Sequence, residues 1–384
     1  DSRPAYEAYL LQRGRPTSLG ASLLSGALLS EIERVILPHV QERYACEGCV
    51  PCTSFLRRYA PGERRLNPNH FDMEAFSTVV VSLSNASEHS GGLYIQPTPE
   101  VTSRRVLPMD IGDALMHRYD LNHGVAVTNG SRHSLVIWMS EDAASCADGT
   151  SPWYARDAEV GDADAQWNLG HLYKRGERGY AQNSTLATEW YIRSAEKGHP
   201  GAMNNLALML EEAGSLAEAE VWFRRGAEAG EVNAQLNLAR VRKAAGDAFG
   251  AAQWYGRSVA QGDPRGMVAL GDLLEETPSV AAASGRTTGE LYQKAANLGH
   301  GEAWRALGRL HEARGDPGAA LRWHLIGANG GEPDCMLAAA KQYLEGRGTE
   351  QNLEGAREWL TAAAATGRFP EAGELLAMLE GASL

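Results

Sequence analysis

Gly161-Asp-Ala-Asp-Ala-Gln-Trp-Asn-Leu-Gly170 is the first clear copy of a phrase on which the second half of the chain is built. Its general form is Gly-x-x-x-Ala-x-x-x-Leu-Ala/Gly, and it recurs at steps of 32 to 37 residues. Good copies begin at Gly161, Gly198, Gly230, Gly262 and Gly299, and weaker copies begin at Gly331 and Gly367. A period of this length is typical of helical repeats that stack side by side.

A second phrase, usually a Trp followed by another large residue, lies between these copies. It occurs as Trp190-Tyr191, Trp222-Phe223, Trp254-Tyr255, Leu291-Tyr292, Trp323-His324 and Trp359-Leu360. We interpret each unit as two antiparallel helices, in which Ala and Gly allow close approach and the large pair fills the gap between units. The longer steps place extra residues at 175–183 and 277–288, where we predict longer loops between helices.

These phrases resemble the Sel1-like branch of the tetratricopeptide superfamily, over roughly the last 230 residues and in about six units. The resemblance implies an all-α solenoid, and the concave face of such a solenoid commonly binds a partner. We therefore predict a helical repeat domain over 151–384 and a separate domain over 1–150, which makes the chain an α+β multidomain protein.

The first 150 residues show a different pattern. Apolar residues recur at helical spacing from Leu23 and Leu24 to Ile36, and Pro38 is predicted to mark the end region of that helix. Short runs rich in β-branched and aromatic residues then predict strands at 53–59, 76–83, 114–119, 124–128 and 133–139. Turn clusters separate these runs at Pro61-Gly62, Asn67-Pro68-Asn69, Gly91-Gly92, 110–112 and Asn129-Gly130. Many short strands with such turns favour a double-stranded β-helix, or jelly roll.

Four residues in this region suggest a metal site. His70 and Asp72 are two apart, so on a strand both side chains point to one face. His123 would enter from a neighbouring strand, and Arg132 follows nine positions later. Two histidines and one carboxylate on one side of a mononuclear Fe(II) leave the other side open for a cosubstrate and oxygen.

In this order, the residues resemble the Fe(II)/2-oxoglutarate-dependent dioxygenases of the prolyl 4-hydroxylase type, over about residues 30–140. The resemblance rests on Arg58-Tyr-Ala-Pro-Gly62, His70-Phe71-Asp72, Gly91-Gly92, Pro108 with Gly112-Asp-Ala-Leu115, His123-Gly-Val125, and Gly130-x-Arg132-x-Ser134-Leu135-x-x-Trp138. Two departures, Leu93-Tyr94 after the glycine pair and Ala126 where relatives often carry proline, leave the oxidised residue open.

The resemblance implies a role for each residue. His70, Asp72 and His123 would bind Fe(II), and Arg132 would hold the distal carboxylate of 2-oxoglutarate, a contact for which a guanidinium is well shaped. Ser134 is two residues along the same strand face and would join Arg132, and Tyr59 would contact the cosubstrate. Oxygen would be the second cosubstrate, and ascorbate is a candidate reductant.

Two further residues are weaker candidates. His117 lies six residues before His123 and could compete as a ligand, but it lacks the following Gly-Val and the arginine nine residues on. Thr78 could line the cosubstrate pocket.

The bulk composition excludes some classes of function. The net charge of −12 does not suit a nucleic-acid binder, and no apolar run approaches the roughly 18 residues that a membrane span needs. Cys46, Cys49 and Cys52 have no evident fourth ligand for zinc, so a single disulfide or unpaired thiols are favoured. Cytoplasmic and secretory locations both remain open.

The expected function is therefore a hydroxylase of a protein or peptide side chain, with the repeats recruiting the substrate or a partner. Two alternatives remain: an oxygenase that acts on a small molecule, and a non-catalytic repeat adaptor with a relic barrel.

Overall fold

The computed structural model describes residues 6–23, 28–60, 66–70, 72, 74–97 and 103–381. The chain divides into two compact units, with the division between Val241 and Arg242. The first unit contains all the described strands and the first helical repeats, and the second contains helices. The domain boundary predicted at 150/151 lies close to the point where the strands end and the helices begin. It lies inside the first unit, so the division into domains at this point stays a prediction.

The described part of the first unit contains ten strands in two antiparallel sheets. They are β1 (Tyr6–Gln12), β2 (Arg15–Pro16), β3 (Val50–Tyr59), β4 (Leu66–His70), β5 (Ser77–Ser82), β6 (His89–Ile95), β7 (Arg105–Val106), β8 (Ala114–Arg118), β9 (His123–Gly130) and β10 (Arg132–Ser140). One sheet has the order β2-β1-β3-β10-β5-β8 and the other has the order β4-β9-β6-β7. The region therefore contains the predicted sheet structure.

The five predicted strands correspond to β3, β5, β8, β9 and β10. Two of the other strands were missed because Pro, Asn or Gly interrupts them. The predicted turn at Asn67-Pro68-Asn69 lies in β4, and Gly91-Gly92 lies in β6 beside a shift of register. Those two turn predictions are wrong. The predicted turn at Pro61-Gly62 lies outside the described residues.

The N-terminal helices are α1 (Ser18–Leu23), α2 (Leu28–Glu31), a π-helical turn (Ile32–Ile36) and α3 (Leu37–Tyr44). A strand, β1, precedes them, although a helical lead-in was predicted. The prediction that Pro38 ends the helix is also wrong, because Pro38 lies in the first turn of α3. Proline is tolerated there since the first backbone N–H groups of a helix have no partner within it. Leu24 of the predicted helix lies outside the described residues.

The first unit contains two disulfides, whereas the sequence predicted a single disulfide or unpaired thiols. Cys46 pairs with Cys49, and Cys52 on β3 pairs with Cys146 on α4 (Ala143–Asp148). The second bridge spans 94 residues of sequence and connects the beginning and the end of the sheet region. The zinc alternative is accordingly not needed to explain these cysteines. Cys335 is buried and free.

The rest of the described chain is helical. The helices are α5 (Trp153–Glu159), α6 (Ala163–Arg175), α7 (Ser184–Glu196), α8 (Pro200–Glu212), α9 (Leu216–Glu228), α10 (Val232–Ala244), α11 (Ala248–Ala260), α12 (Pro264–Glu276), α13 (Pro278–Ser284), α14 (Thr288–Asn297), α15 (Gly301–Ala313), α16 (Pro317–Asn329), α17 (Pro333–Glu345), α18 (Leu353–Ala365) and α19 (Pro370–Gly381). A loop fills 176–183 as predicted, whereas most of 277–288 forms the additional helix α13.

The glycine that begins each repeat phrase has a backbone role. All seven of them have positive φ, between 67° and 99°. Each lies between two helices and turns the chain in the left-handed conformation, which glycine adopts without a steric penalty. This requirement explains why the phrase repeats a glycine rather than another small residue.

The last position of the phrase, Gly or Ala, sets how closely two helices pack. A β-carbon on Gly170 would collide with the Tyr191 ring, and one on Gly271 would collide with Tyr292. At Ala207 and Ala239 alanine takes this position, and both residues are fully buried. The predicted role of small residues in close packing is therefore visible in both units.

We expect Gly271→Ala to destabilise the protein by about 1–3 kcal/mol, because the added methyl overpacks the contact with Tyr292. The matched control is Gly373→Ala on α19, where a β-carbon meets nothing within 4 Å. There the substitution should stabilise the helix by up to about 1 kcal/mol. Denaturant unfolding of both variants measures the two effects, and equal shifts of the same sign would contradict this account.

None of the helices in the described residues combines the length and the apolar character needed to cross a bilayer.

Candidate metal centre

The three predicted ligands come together. His70 Nε2 lies 3.5 Å from Asp72 Oδ1, and His123 Nε2 lies 3.6 Å from Asp72 Oδ2. The ligand atoms of the three residues all lie within 4.8 Å of one another. Asp72 and His123 are buried, whereas His70 is about one third exposed. A cation at this point would have protein on one side and an opening on the other.

Strand pairing brings these residues together. His70 at the end of β4 lies directly opposite His123 at the start of β9. Asp72 follows two residues after His70, and Thr78 Oγ1 donates a 2.7 Å hydrogen bond to its Oδ2. His123 Nδ1 lies 3.0 Å from the carbonyl oxygen of Leu121. Since a carbonyl only accepts, Nδ1 carries the proton and Nε2 directs its lone pair towards Asp72.

The charges of these groups suit a cation. Burial alone would raise the pKa of Asp72, but its hydrogen bond with His70 and the nearby imidazoles hold that pKa well below its usual range. Burial lowers the pKa of His123 to about 4, against the opposing effect of Asp72. At neutral pH Asp72 is therefore ionised and His123 is neutral, which are the forms that bind metal ions.

A buried arginine lies in the same cavity. Arg132 is 2% exposed, and its Nη1 donates a 3.3 Å hydrogen bond to Ser134 Oγ. Its Nη2 has no hydrogen-bond partner among the described residues, and burial lowers its pKa. The cavity's other guanidinium, Arg57, is by contrast paired with Glu7. Arg132 is thus a buried cation whose remaining donors suit a carboxylate from outside the chain.

Tyr59 lies opposite Arg132 across β3 and β10 and is buried to the same degree. Burial raises the pKa of its hydroxyl, and the guanidinium groups of Arg57 and Arg132 oppose that shift. The hydroxyl therefore stays protonated at neutral pH and can donate a hydrogen bond to an anion in the cavity.

The metal cluster and Arg132 face one cavity of about 350 Å³. Its apolar walls include Val80, Leu93, Val125 and Val136, and its polar lining residues are Arg57, Tyr59, Asn67, His70, Asp72, Glu74, His123, Arg132 and Ser134. All six residues predicted for the site thus line a single space. A small dianion could bridge a cation at one end and a guanidinium at the other.

The two weaker candidates from the sequence, Thr78 and His117, both lie close to Asp72. Thr78 is not among the residues that line the cavity, where it was predicted to be, and its hydroxyl instead donates a hydrogen bond to Asp72. His117 is buried on β8 opposite Thr78, with Nε2 3.7 Å from Asp72 Oδ2. The signal available in the sequence for Thr78 was a hydroxyl residue directly before the apolar run Val79-Val80-Val81. Phe71, between the first two ligands, lies outside the described residues.

A larger groove, of about 1,110 Å³, adjoins the cavity and shares Glu74 and Trp138 with it. Its lining combines residues of β1, β3, β10 and α4 with residues around the end of α6. The first repeat adds three charged residues to this lining, Arg175, Glu177 and Arg178. Arg178 forms a 2.8 Å ion pair with Glu74.

Comparison with known proteins identifies the repeats. Residues 163–199, 200–231, 290–300 and 333–367 match the Sel1 repeat family. The C-terminal region is therefore an array of Sel1 repeats, within the tetratricopeptide-like class of helical solenoids, and that prediction is confirmed. No curated protein matches the chain.

Two solved structures are similar to this chain. A protective antigen present in uropathogenic Escherichia coli strains, with an SLR fold, is 25% identical, with a TM-score of 0.50 over 61% of this chain and 52% of its own length. This chain thus spans about half of that antigen. A Sel1 repeat protein from Oxalobacter formigenes is 26% identical over 55% of this chain and 91% of its own, with a TM-score of 0.46. The family matches all lie between residues 163 and 367, so the oxygenase remains a prediction.

Proposed function

We propose that this chain is an Fe(II)- and 2-oxoglutarate-dependent dioxygenase that hydroxylates a protein or peptide side chain. One observation carries the proposal: a cluster of two histidines and one carboxylate shares a cavity with a buried arginine that has an unused donor. A metal site without Arg132 would suit many reactions. The added guanidinium favours a cosubstrate with a carboxylate at its far end.

The strand order supports the jelly-roll part of the proposal. Strands β3 to β10 fall into two groups of four, in the orders β3-β10-β5-β8 and β4-β9-β6-β7. Such interleaving of two four-stranded antiparallel sheets is what a jelly roll requires. It also explains the placement of the site, because β4 and β9 carry the histidines and β10 carries Arg132.

Each residue then has a defined task. His70, Asp72 and His123 would hold Fe(II), which when bound supplies the oxygen activation that side chains cannot. Arg132 and Ser134 bind and orient the distal carboxylate of 2-oxoglutarate, and Tyr59 donates to the same molecule. Val80, Leu93 and Val125 keep water away from the cosubstrate. Thr78 holds the Asp72 carboxylate in place.

The adjoining groove supports a peptide substrate over a small molecule. It is about three times as large as the cavity and adjoins it at Glu74 and Trp138. Part of its lining comes from the first repeat. Repeats of this class generally mediate protein contacts, so a substrate segment lying in this groove could reach the metal centre while the repeats hold the remainder of the partner.

The second candidate is a non-catalytic repeat adaptor. The family matches favour it, because all of them lie in the repeat region, between residues 163 and 367. Against it stands the set of ionisable residues that the cavity brings together: His70, Asp72, His123 and Arg132.

The deciding test is anaerobic reconstitution with Fe(II) and 2-oxoglutarate, followed by addition of oxygen. An oxygenase shows a weak visible band for the cosubstrate complex and then forms succinate. Folded, iron-loaded protein that gives neither band nor succinate would leave the adaptor as the better account.

A substitution in the groove can distinguish a peptide substrate from a small-molecule substrate. Removing the repeats is unsuitable, because Trp153, Leu169 and Leu172 share a core with Leu135 and Ile137 of β10. We instead expect Arg175→Glu, an exposed change in the groove, to raise the KM for a peptide found by library screening by roughly tenfold, about 1.4 kcal/mol. Succinate formed without peptide should not change.

The control for that experiment is Lys174→Glu, the adjacent position, which does not line the groove. An equal effect of both substitutions on peptide KM, or no effect of either, would argue against the groove as the peptide site.

A further inference from the structure

The groove beside the metal cavity carries an excess of positive charge. Its charged lining residues are four arginines and two glutamates: Arg13, Arg15, Arg175, Arg178, Glu74 and Glu177. Arg178 pairs with Glu74 at 2.8 Å, and Arg175 lies 3.9 Å from Glu177. Arg13 and Arg15 are exposed and have no ion-pair partner among the described residues. The groove therefore presents two guanidinium groups to a ligand, on a chain whose net charge is −12.

Arg13 has a backbone conformation that arginine rarely adopts. With Gly14 it forms the two-residue turn between β1 and β2, and φ is 49° at Arg13 and 72° at Gly14. A turn with positive φ at both positions is usually Asn-Gly or Asp-Gly, because a larger side chain is strained there. Arginine at the first position therefore costs stability, and no hydrogen bond of its guanidinium within the described residues offsets that cost.

Arg178, in the loop after α6, is strained in the same way, with a φ of 56°. Among the described non-glycine residues only Arg13, Ala45 and Arg178 have positive φ, and Ala45 is the residue that ends α3. The other two are arginines, and both line the same groove. Backbone strain of this kind is found mainly where it serves a function. Arg178 neutralises Glu74, the acid that the groove shares with the cavity.

The turn that carries Arg13 is anchored to the sheet region. Gly14 N–H donates a 2.8 Å hydrogen bond to the carbonyl oxygen of Cys52, and Cys52 is joined to Cys146. A β-carbon on Gly14 would lie 3.3 Å from Cys146 Sγ, so the turn packs directly on this disulfide. The backbone of the arginine turn is thus fixed before a ligand arrives, which lowers the entropic cost of binding.

The size of the groove suits a peptide. Its volume of about 1,110 Å³ exceeds the range of about 300–1,000 Å³ that holds drug-sized molecules. Tyr9 and Trp138 are half-buried in its lining and offer aromatic surface between the charges. A peptide with a few acidic residues fits this combination better than nucleic acid does, because a protein of net charge −12 repels a polyanion as a whole.

We propose that the groove binds an acidic peptide segment. Asp or Glu side chains of that segment pair with Arg13 and Arg15, since a guanidinium and a carboxylate match in charge and shape. The residue to be oxidised then reaches the cavity past Trp138, which lines both spaces. The inference rests on the proposed function for the role of the cavity, and it deepens that function by naming the class of substrate.

The test is a selection of random displayed peptides against the full chain, which needs no turnover. We expect the retained peptides to be enriched in Asp and Glu, and this enrichment to be lost in Arg13→Glu/Arg15→Glu. The control is Arg43→Glu/Arg105→Glu, the same change of net charge at exposed arginines that do not line the groove. The Kd of a retained acidic peptide, measured by fluorescence anisotropy, should rise at least about tenfold in the groove variant and less than about twofold in the control.

Arg13→Gly separates binding from folding. Glycine relieves the strain at a φ of 49°, so the midpoint of denaturant unfolding should rise. The Kd of the same acidic peptide should nevertheless rise by about threefold, because one of the two guanidinium groups is lost. A higher midpoint with an unchanged Kd would overturn the role of Arg13 in binding.

Enrichment of basic residues, no enrichment, or equal enrichment in the natural protein and the groove variant would overturn the inference. It would also be overturned if a single-stranded oligonucleotide displaced the selected peptide at a lower concentration than the unlabelled peptide does. Groove-dependent acidic enrichment without succinate formation would support the inference while the proposed function fails. Succinate formation with peptides that show no acidic enrichment would uphold the proposed function while the inference fails.

Discussion

Asp72→Ala is expected to remove Fe(II) binding and, with it, all turnover of 2-oxoglutarate. Asp72 is the one carboxylate in the described cluster, and it lies between His70 on one side and His117 and His123 on the other. Without its negative charge the imidazoles alone must hold the ion in a partly buried place. Losing a mere supporting partner typically weakens metal binding by about 10–100-fold, so losing the charged ligand should weaken it by more than about 100-fold.

The measurement combines anaerobic Fe(II) titration with succinate formation, and thermal unfolding shows whether the variant is folded. His70→Ala should behave in the same way, since His70 is the ligand facing the other oxygen of Asp72. Asp148→Ala on α4, an exposed aspartate outside the cavity, is the control and should keep full activity. Iron-dependent turnover in a folded Asp72→Ala variant would refute the metal centre as described.

Arg132→Ala should act on the cosubstrate and leave the metal site intact. A buried guanidinium that pairs with a carboxylate contributes strongly to binding of the cosubstrate, because removing one partner of a buried ion pair costs about 3–5 kcal/mol. At about 1.4 kcal/mol for each factor of ten, the KM for 2-oxoglutarate should rise by roughly 2 to 3.5 orders of magnitude. The Kd for Fe(II) should stay within about twofold, because His70, Asp72 and His123 are unchanged.

Arg132→Lys distinguishes geometry from charge. Lysine keeps the positive charge but lacks the planar pair of donors that matches a carboxylate. We expect an intermediate KM, closer to the alanine variant than to the natural protein. Arg105→Ala on β7, an exposed arginine of the first unit, is the control. A large fall in kcat with an unchanged KM in Arg132→Ala would show that Arg132 does not hold the cosubstrate.

The helical repeats could be predicted from the sequence more completely than the strands. The repeats follow from local pattern, because each unit is built from the same two phrases and contacts its neighbours in the same way. Strands such as β5 and β10 also follow, since Val79-Val80-Val81 and Leu135-Val136-Ile137 form continuous apolar runs. By contrast, β4 carries Pro68 within it, and its strand character comes from pairing with β9 rather than from its own residues.

The sequence by itself determined the repeat architecture, the predicted ligand spacing of His70 and Asp72, and the shared strand face of Arg132 and Ser134. These depend on neighbours in the chain and on the periods of helix and strand. Only the tertiary structure decided that His70 lies opposite His123, that Thr78 holds Asp72, that His117 lies close to the same carboxylate, and that Cys52 joins Cys146. Those contacts depend on strand register and on packing between distant segments, and local periodicity carries no information about either.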